Sequence, residues 1–336
     1  MTSSPTASMP RAIAVLGAGA VGSYFGAKLA RAGHAVTLIG RPVHVAAIER
    51  DGVRVLEGDG EWQARVHAAA DAAAARDADV VLVTVKTPDT LDAARALAPY
   101  LRADARVVSL QNGVDNAARI AAALPQRVYA AVVYVGTLME GPGRVRHTGR
   151  GDLVIGVPRG LAARGDAQDD LRGIAAMFEA AGVACPIAPD IEAALWTKLT
   201  INCACNAISA LGDARYGRMA ASGDVRAVME EAARETVAVA RADSVMLDAD
   251  ALVASIWALA GAMAQQFSST AQDIQRGKPT EIDALNGLVA QRGAELGVAT
   301  PVNRTLHALV KLREQAGSAL GTAGGVIDNR VGKNQH

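Results

Sequence analysis

The stretch Ala12-Ile-Ala-Val-Leu-Gly17-Ala-Gly-Ala-Val-Gly22 runs a short apolar segment into glycines spaced G-x-G-x-x-G. The next seventeen or so residues give that spacing its meaning. A helical stretch reaches Ala32, Gly33 reads as its stop, and Ala35-Val-Thr-Leu-Ile39 is a second strand. Strand, tight turn, helix and strand within about 30 residues form the βαβ unit in which this glycine pattern binds a dinucleotide. Gly17 allows the turn, Gly19 lets a pyrophosphate approach the backbone, and Gly22 lets helix and strand pack closely. Ala18, Ala20 and Val21 complete the turn and open the helix, whose N–H groups and positive dipole end suit a phosphate.

The second strand ends in Ile39-Gly40-Arg41, where an NAD-specific protein usually carries an acid for the ribose 2′-hydroxyl. Arg41 can instead grip a 2′-phosphate with its planar fork, so the expected cofactor is NADP(H). Val80–Val85 and Arg106–Leu110 continue the sheet, and their β-branched character suits parallel strands covered on both faces. One ends at Lys86 and the other at Gln111-Asn112-Gly113, at the carboxyl ends of strands where open α/β sheets bind ligands. From Val128 to Val157, alternating segments around Gly141-Pro-Gly143 predict antiparallel strands, with His147 a strand residue rather than a catalyst.

At 336 residues the chain predicts two domains. Apolar residues make up 51% and aromatics only 3%, so the core should be aliphatic. Thirty-four basic and thirty-four acidic residues cancel. Neither nucleic acid nor an anionic membrane is therefore an expected partner, and any anion needs a local site. Cys185, Cys203 and Cys205 are an odd set that argues against disulfides, and no second Cys or His pair accompanies them, so no metal site is expected. The first ten residues have no basic or apolar signal region, and no run approaches the roughly 18 apolar residues of a membrane span. A cytoplasmic protein is expected.

After Pro186 and Pro189 the pattern turns helical, over roughly Ile191–Leu211, Val225–Ala242, Ala249–Arg276, Glu281–Leu296 and Pro301–Gly317. The expected division is an α/β Rossmann-like domain over 11–189, an all-α domain over 190–318, and loose tails at 1–10 and 319–336. In the first helix Lys198, Asn202 and Asn206 recur every four residues and share a narrow face. A buried ammonium without partners would be costly, so that face should meet a polar cleft or a ligand. The chain has six Lys against 28 Arg, yet Lys stands at Lys198 and Lys86. Lysine can release a proton near neutrality and arginine effectively cannot. Farther on, Thr280 reads as an N-cap with Asp283 three residues later, placing Glu281 in a first helical turn, while Ser268 and Ser269 lie on the helix before.

These motifs, taken in order, resemble the ketopantoate reductase (2-dehydropantoate 2-reductase) family. The resemblance runs from about Arg11 to Arg313 and rests on Gly17-x-Gly-x-x-Gly22, Val85-Lys86, Gln111-Asn-Gly113, Leu195-Trp-x-Lys-Leu-x-x-Asn-x-x-x-Asn206, Ser268-Ser269 and Thr280-Glu-Ile-Asp-x-x-Asn-Gly287. It implies NADPH, a Rossmann domain and a helical domain with substrate between them. Lys198 would be the general acid, and Asn202, Asn206 and Ser269 would bind substrate. Asn112 would sit near cofactor and substrate, Lys86 at the cofactor, and Glu281 by the nicotinamide end, orienting the lysine or accepting from a hydroxyl. Tyr216 stands where some members carry a polar substrate contact, which leaves room for a paralogue acting on another 2-oxo acid. A non-catalytic NADP-binding sensor is the third reading, disfavoured by Lys198 and Glu281 occurring together. The aliphatic faces of the later helices would allow a homodimer.

Overall fold

The computed structural model describes residues 11–161 and 167–323. The last helix continues to Ala323, beyond the expected start of the tail, and the expected tail residues 1–10 and 324–336 lie outside the described residues. The chain divides between Lys198 and Leu199 into two compact units.

The first unit is built on β1 Ala12–Leu16, β2 Ala35–Ile39, β3 Val53–Glu57, β4 Gly60–Ala64, β5 His67–Ala69, β6 Val80–Val83, β7 Arg106–Ser109, β8 Arg127–Gly141 and β9 Arg144–Gly156. They form one sheet in the order β4-β3-β9-β8-β7-β6-β1-β2-β5. From β5 through β8 every pairing is parallel, and β8 then folds back antiparallel onto β9, as the alternating pattern predicts. The helices are α1 Ala20–Arg31, α2 Pro42–Asp51, α3 Thr90–Leu97, α4 Asn116–Ala123, α5 Ala167–Ala180 and the opening of α6, Ile191–Gly212.

The continuous apolar runs of β1 and β6 follow from burial on both faces. Ile13, Val15 and Leu82 join a cluster with Phe25 and Leu29 of α1 and Phe178 of α5. Their neighbours Ala14, Leu16, Val81 and Val83 face the opposite way, onto Leu97 of α3 and Ile120 of α4. Truncating a side chain such as Leu82, fully buried, would cost about 2–5 kcal/mol through the cavity left behind. The β6 and β7 ladders are shorter than expected, ending at Val83 and Ser109. Beyond Val83 the Thr84 hydroxyl turns to the carbonyls of Leu16 (3.1 Å) and Gly17 (2.8 Å).

In the second unit the described regular elements are helical: the remainder of α6, then α7 Tyr216–Ala220, α8 Gly223–Ala242, α9 Ala249–Ala262, α10 Ser269–Gln275, α11 Asn286–Leu296 and α12 Pro301–Ala323. Met219, Met229, Ala233, Ile256 and Ala260 pack into one cluster, and Ala207, Ala232, Ile282, Leu306 and Val310 into another. Buried Glu235 accepts from the backbone N–H groups of Val302 (2.8 Å) and Asn303 (2.9 Å), so a carboxylate satisfies donors at the head of α12. Among the described residues no helix is long and apolar enough to cross a membrane.

Two expected helices are interrupted. The stretch Ala249–Arg276 breaks after Ala262, because the carbonyls of Ala264 and Gln266 accept from the N–H groups of Gly217 and Tyr216. Ser268 then caps α10, its hydroxyl accepting from Ala271 N–H at 3.1 Å. The stretch Glu281–Leu296 opens instead with one 3-10 turn, Ile282–Ala284, before α11 begins at Asn286. Thr280 is not the N-cap, which falls at Glu281: its hydroxyl accepts from Ile282 N–H two residues on, while the Thr280 N–H goes to Glu314 and Asp283 pairs with His307 and Lys311. The expected reciprocal cap is overridden by contacts to α12, and Glu281 heads a single short turn whose dipole is correspondingly small.

Candidate active site

The glycine turn shows a different physical reason at each glycine. Gly17 has φ +116°, and a Cβ there would lie 2.7 Å from the Thr84 hydroxyl. A Cβ on Gly22 would come within 2.1 Å of the Gly17 carbonyl oxygen. Gly19 is the reverse: a Cβ would meet no protein atom within 4 Å. Gly17 and Gly22 are thus required by the protein's own packing, whereas the open side at Gly19 is where a pyrophosphate backbone would pass. Ala20, Val21 and Gly22 open α1, where amide N–H groups have no acceptor within the helix. A Cβ on Gly40 would lie 2.6 Å from Ala18 Cβ, so the exit of β2 packs on this turn and brings exposed Arg41 beside it. The residues present fit a dinucleotide.

Lys198, on α6, is half-buried and donates through Nζ to Asn112 Oδ1 at 2.9 Å and to the Val133 carbonyl at 2.6 Å. The two acceptors fix the direction of the amine. Nζ also lies 5.9 Å from the ring centroid of Tyr134, against which the Arg150 guanidinium stacks at 4.2 Å. Burial raises the Tyr134 phenol above its ordinary range. Asn112 leaves the end of β7 just before Gly113, which has φ +98°. Lys86 is half-buried at the end of β6, where its carbonyl accepts from Asp89 N–H. Gln111, between these groups in sequence, points inward and is 7% exposed. The structure therefore joins Lys198, from the polar helix face, to Asn112, from the strand-end motif. Thr84, which braces the glycine turn, and the Val133 carbonyl were not marked by the sequence, since each acts on a partner far along the chain.

Within the second unit, Asn206 is buried and its Nδ2 lies 3.4 Å from the Ser269 hydroxyl. Ser268 holds the same helix by donating from Oγ to the Asn206 carbonyl at 3.2 Å. Asn202 is half-buried one turn earlier, Ser269 is exposed, and Glu281 is half-buried. The rest of the Thr280 motif is structural. Asn286 donates to the Cys203 carbonyl and to Asn303 Oδ1, and a Cβ on Gly287 would meet the His307 ring at 2.9 Å. Tyr216 is nearly buried, and desolvation pushes its phenol far above the usual range. Burial likewise pushes the Cys185 and Cys205 thiols up to about 12, so these cysteines are packing residues rather than nucleophiles. His147 stacks on Tyr24 at 4.7 Å, faces Glu57 at 3.0 Å and meets the Arg150 carbonyl with its Nε2.

The chain is similar to known proteins over most of its length. Residues 13–160 match the family described as Ketopantoate reductase PanE/ApbA, and residues 190–314 match its C-terminal part. A 2-dehydropantoate 2-reductase from Halobacterium salinarum is 36% identical over 312 residues, covering 91% of this chain and 99% of the relative. A PanE/ApbA family ketopantoate reductase from Ralstonia eutropha JMP134 superposes with a TM-score of 0.84 at 48% identity, over 91% of this chain and 99% of that one. A D-mandelate dehydrogenase solved with NADH and anilino(oxo)acetate has the same fold, with a TM-score of 0.84 at 24% identity over 91% of this chain and 99% of that one.

Proposed function

Since the chain belongs to the ketopantoate reductase family, we propose that it reduces 2-dehydropantoate to pantoate with NADPH, in pantothenate synthesis. The observation that carries this reading is the Lys198 ammonium held by Asn112 and the Val133 carbonyl. Gly17 to Gly22 would hold the pyrophosphate, Arg41 the 2′-phosphate, and Lys86 and Asn112 the nicotinamide half. When bound, the reduced nicotinamide supplies the hydride that is delivered to the C2 carbonyl carbon.

Lys198 has the chemistry that the other half of the reaction needs. Hydride arrival leaves negative charge on the carbonyl oxygen, and a directed ammonium both stabilises that charge and gives up the proton that makes the alcohol. Asn112 keeps Lys198 aimed, through a hydrogen bond that does not have to reorganise during reaction. To Asn202, Asn206 and Ser269 we assign the substrate carboxylate and hydroxyl, because neutral amides and a hydroxyl can donate to both. Glu281 is assigned to accept from a substrate hydroxyl or to orient the lysine. A cytoplasmic location belongs to the same reading.

The test is reduced-nicotinamide oxidation by the full chain with 2-dehydropantoate, beside a panel of other 2-oxo acids, using NADPH and NADH. Turnover concentrated on 2-dehydropantoate with NADPH is expected. Turnover on a different acid alone would keep the chemistry and discard the substrate. Oxidation of NADH in preference would discard the role of Arg41.

A further inference from the structure

Behind Asn112 lies a chain of buried polar side chains that the proposed chemistry does not itself use. Ser109, Gln111, Thr87, Thr90 and Asn116 are each at most 7% exposed. Ser109 Oγ donates to Gln111 Oε1 at 3.0 Å. Gln111 Nε2 donates to the Val85 carbonyl at 3.0 Å and to Thr90 Oγ1 at 2.6 Å. Thr90 passes its own proton to Asn116 Oδ1 at 3.0 Å. Asn116 Nδ2 then donates to Thr87 Oγ1 at 3.2 Å and to the Asn112 carbonyl at 2.5 Å, and Thr87 Oγ1 donates to that same carbonyl at 3.1 Å.

The direction of this chain is fixed. A threonine hydroxyl has one proton, so Thr90, accepting from Gln111, must donate to Asn116. That places the amide oxygen of Asn116 toward Thr90 and its NH2 group toward the Asn112 carbonyl. Turned over, Asn116 would set oxygen against oxygen there. The chain joins the end of β6 to the end of β7 and the first residues of α3 and α4, and it terminates on the backbone of the residue whose side chain receives Lys198. Buried networks of this kind are rigid when every member is satisfied and weak when one member is lost.

We propose that Thr90 and Asn116 are positioning residues for the Lys198 ammonium, acting through Asn112. The consequence for catalysis rests on Lys198 being the proton donor; the consequence for the lysine's own environment does not. Thr90→Val keeps the shape and removes the hydroxyl, Thr90→Ser restores it, and Asn116→Asp replaces a donor facing the Asn112 carbonyl with an acceptor.

Two readouts on the full chain decide the matter. One is NADPH-dependent reduction of 2-dehydropantoate. The other is the titration of Lys198 itself, by NMR of the Cε and Nζ nuclei in protein labelled with carbon-13 and nitrogen-15 lysine, which leaves the ammonium's donors intact and is tractable because the chain has six lysines and Lys198→Arg identifies the signal. Thr90→Val is expected to lower kcat by roughly 10- to 100-fold, the scale of a small misplacement of a reacting group, with the KM for NADPH little changed. It should also let Lys198 lose its proton at lower pH, since a held acceptor favours the charged amine. Asn116→Asp should do both more strongly, and Thr90→Ser should behave as wild type. An unmoved Lys198 titration in Thr90→Val, or a Thr90→Ser that fails as Thr90→Val does, overturns the proposal. If Lys198→Ala keeps full turnover while Thr90→Val still shifts the lysine titration, the proton-donor reading is lost and the positioning stands. If 2-dehydropantoate is not turned over at all, the titration alone decides.

Discussion

Polar groups in the two units are held differently. Lys198 is fixed by acceptors at 2.9 and 2.6 Å, and one of these is backed by a buried hydrogen-bonded chain. Asn206 in the second unit meets exposed Ser269 at 3.4 Å, near the limit of a hydrogen bond. Proton transfer tolerates little misplacement, so the group assigned to it is rigid. Asn206 and Ser269, to which substrate binding is assigned in the proposal, are the more loosely held pair.

That contrast can be broken at several points. The largest effect is expected at Gly22→Ala, where the new Cβ would meet the Gly17 backbone oxygen at 2.1 Å. Backbone displacement there should cost about 1–3 kcal/mol of stability and weaken NADPH binding, read by thermal unfolding and a cofactor titration. Gly19→Ala sharpens the point. With no protein atom within 4 Å of its Cβ, it should leave unfolding unchanged and weaken only NADPH. Next comes Arg41→Ala, expected to raise the KM for NADPH by roughly 10- to 100-fold, the value of charged hydrogen bonds, and to leave NADH use nearly unchanged. Equal losses with both cofactors would remove the 2′-phosphate assignment. Thr84→Val, which deletes hydroxyl bonds to the Leu16 and Gly17 carbonyls, should cost about 1 kcal/mol of stability in chemical denaturation. Last is Asn206→Ala: its contact to Ser269 is long, so it should act mainly on the KM for the 2-oxo acid, and an equal fall in kcat would show that Asn206 belongs with the rigid group.

Legibility in the sequence obeys the same division between local and distant causes. The first strand, turn, helix and second strand could be read directly, because apolar runs and glycine spacing are properties of contiguous residues. Lys198, Asn202 and Asn206 were visible for the same reason, as positions four apart on one helix. Thr84, Thr90 and Asn116 were not, because each is an ordinary strand-end or helix-start residue until a partner distant in sequence reaches it. The Thr280 segment shows how a local pattern can mislead. Its cap-like spacing is genuine, yet Glu314, His307 and Lys311 of α12 claim the Thr280 N–H and the Asp283 carboxylate, and the helix starts five residues later than Glu281.

The most direct test of the proton-donor role is the rate of a single hydride transfer in Lys198→Ala, measured with NADPH already bound and 2-dehydropantoate in excess, beside the variant's affinity for NADPH. A fall of roughly 100- to 10,000-fold in the transfer rate, with NADPH affinity essentially retained, is the expected result for a lost proton donor. Transfer as fast as in the wild type, or a loss no larger than the loss of NADPH affinity, would contradict it.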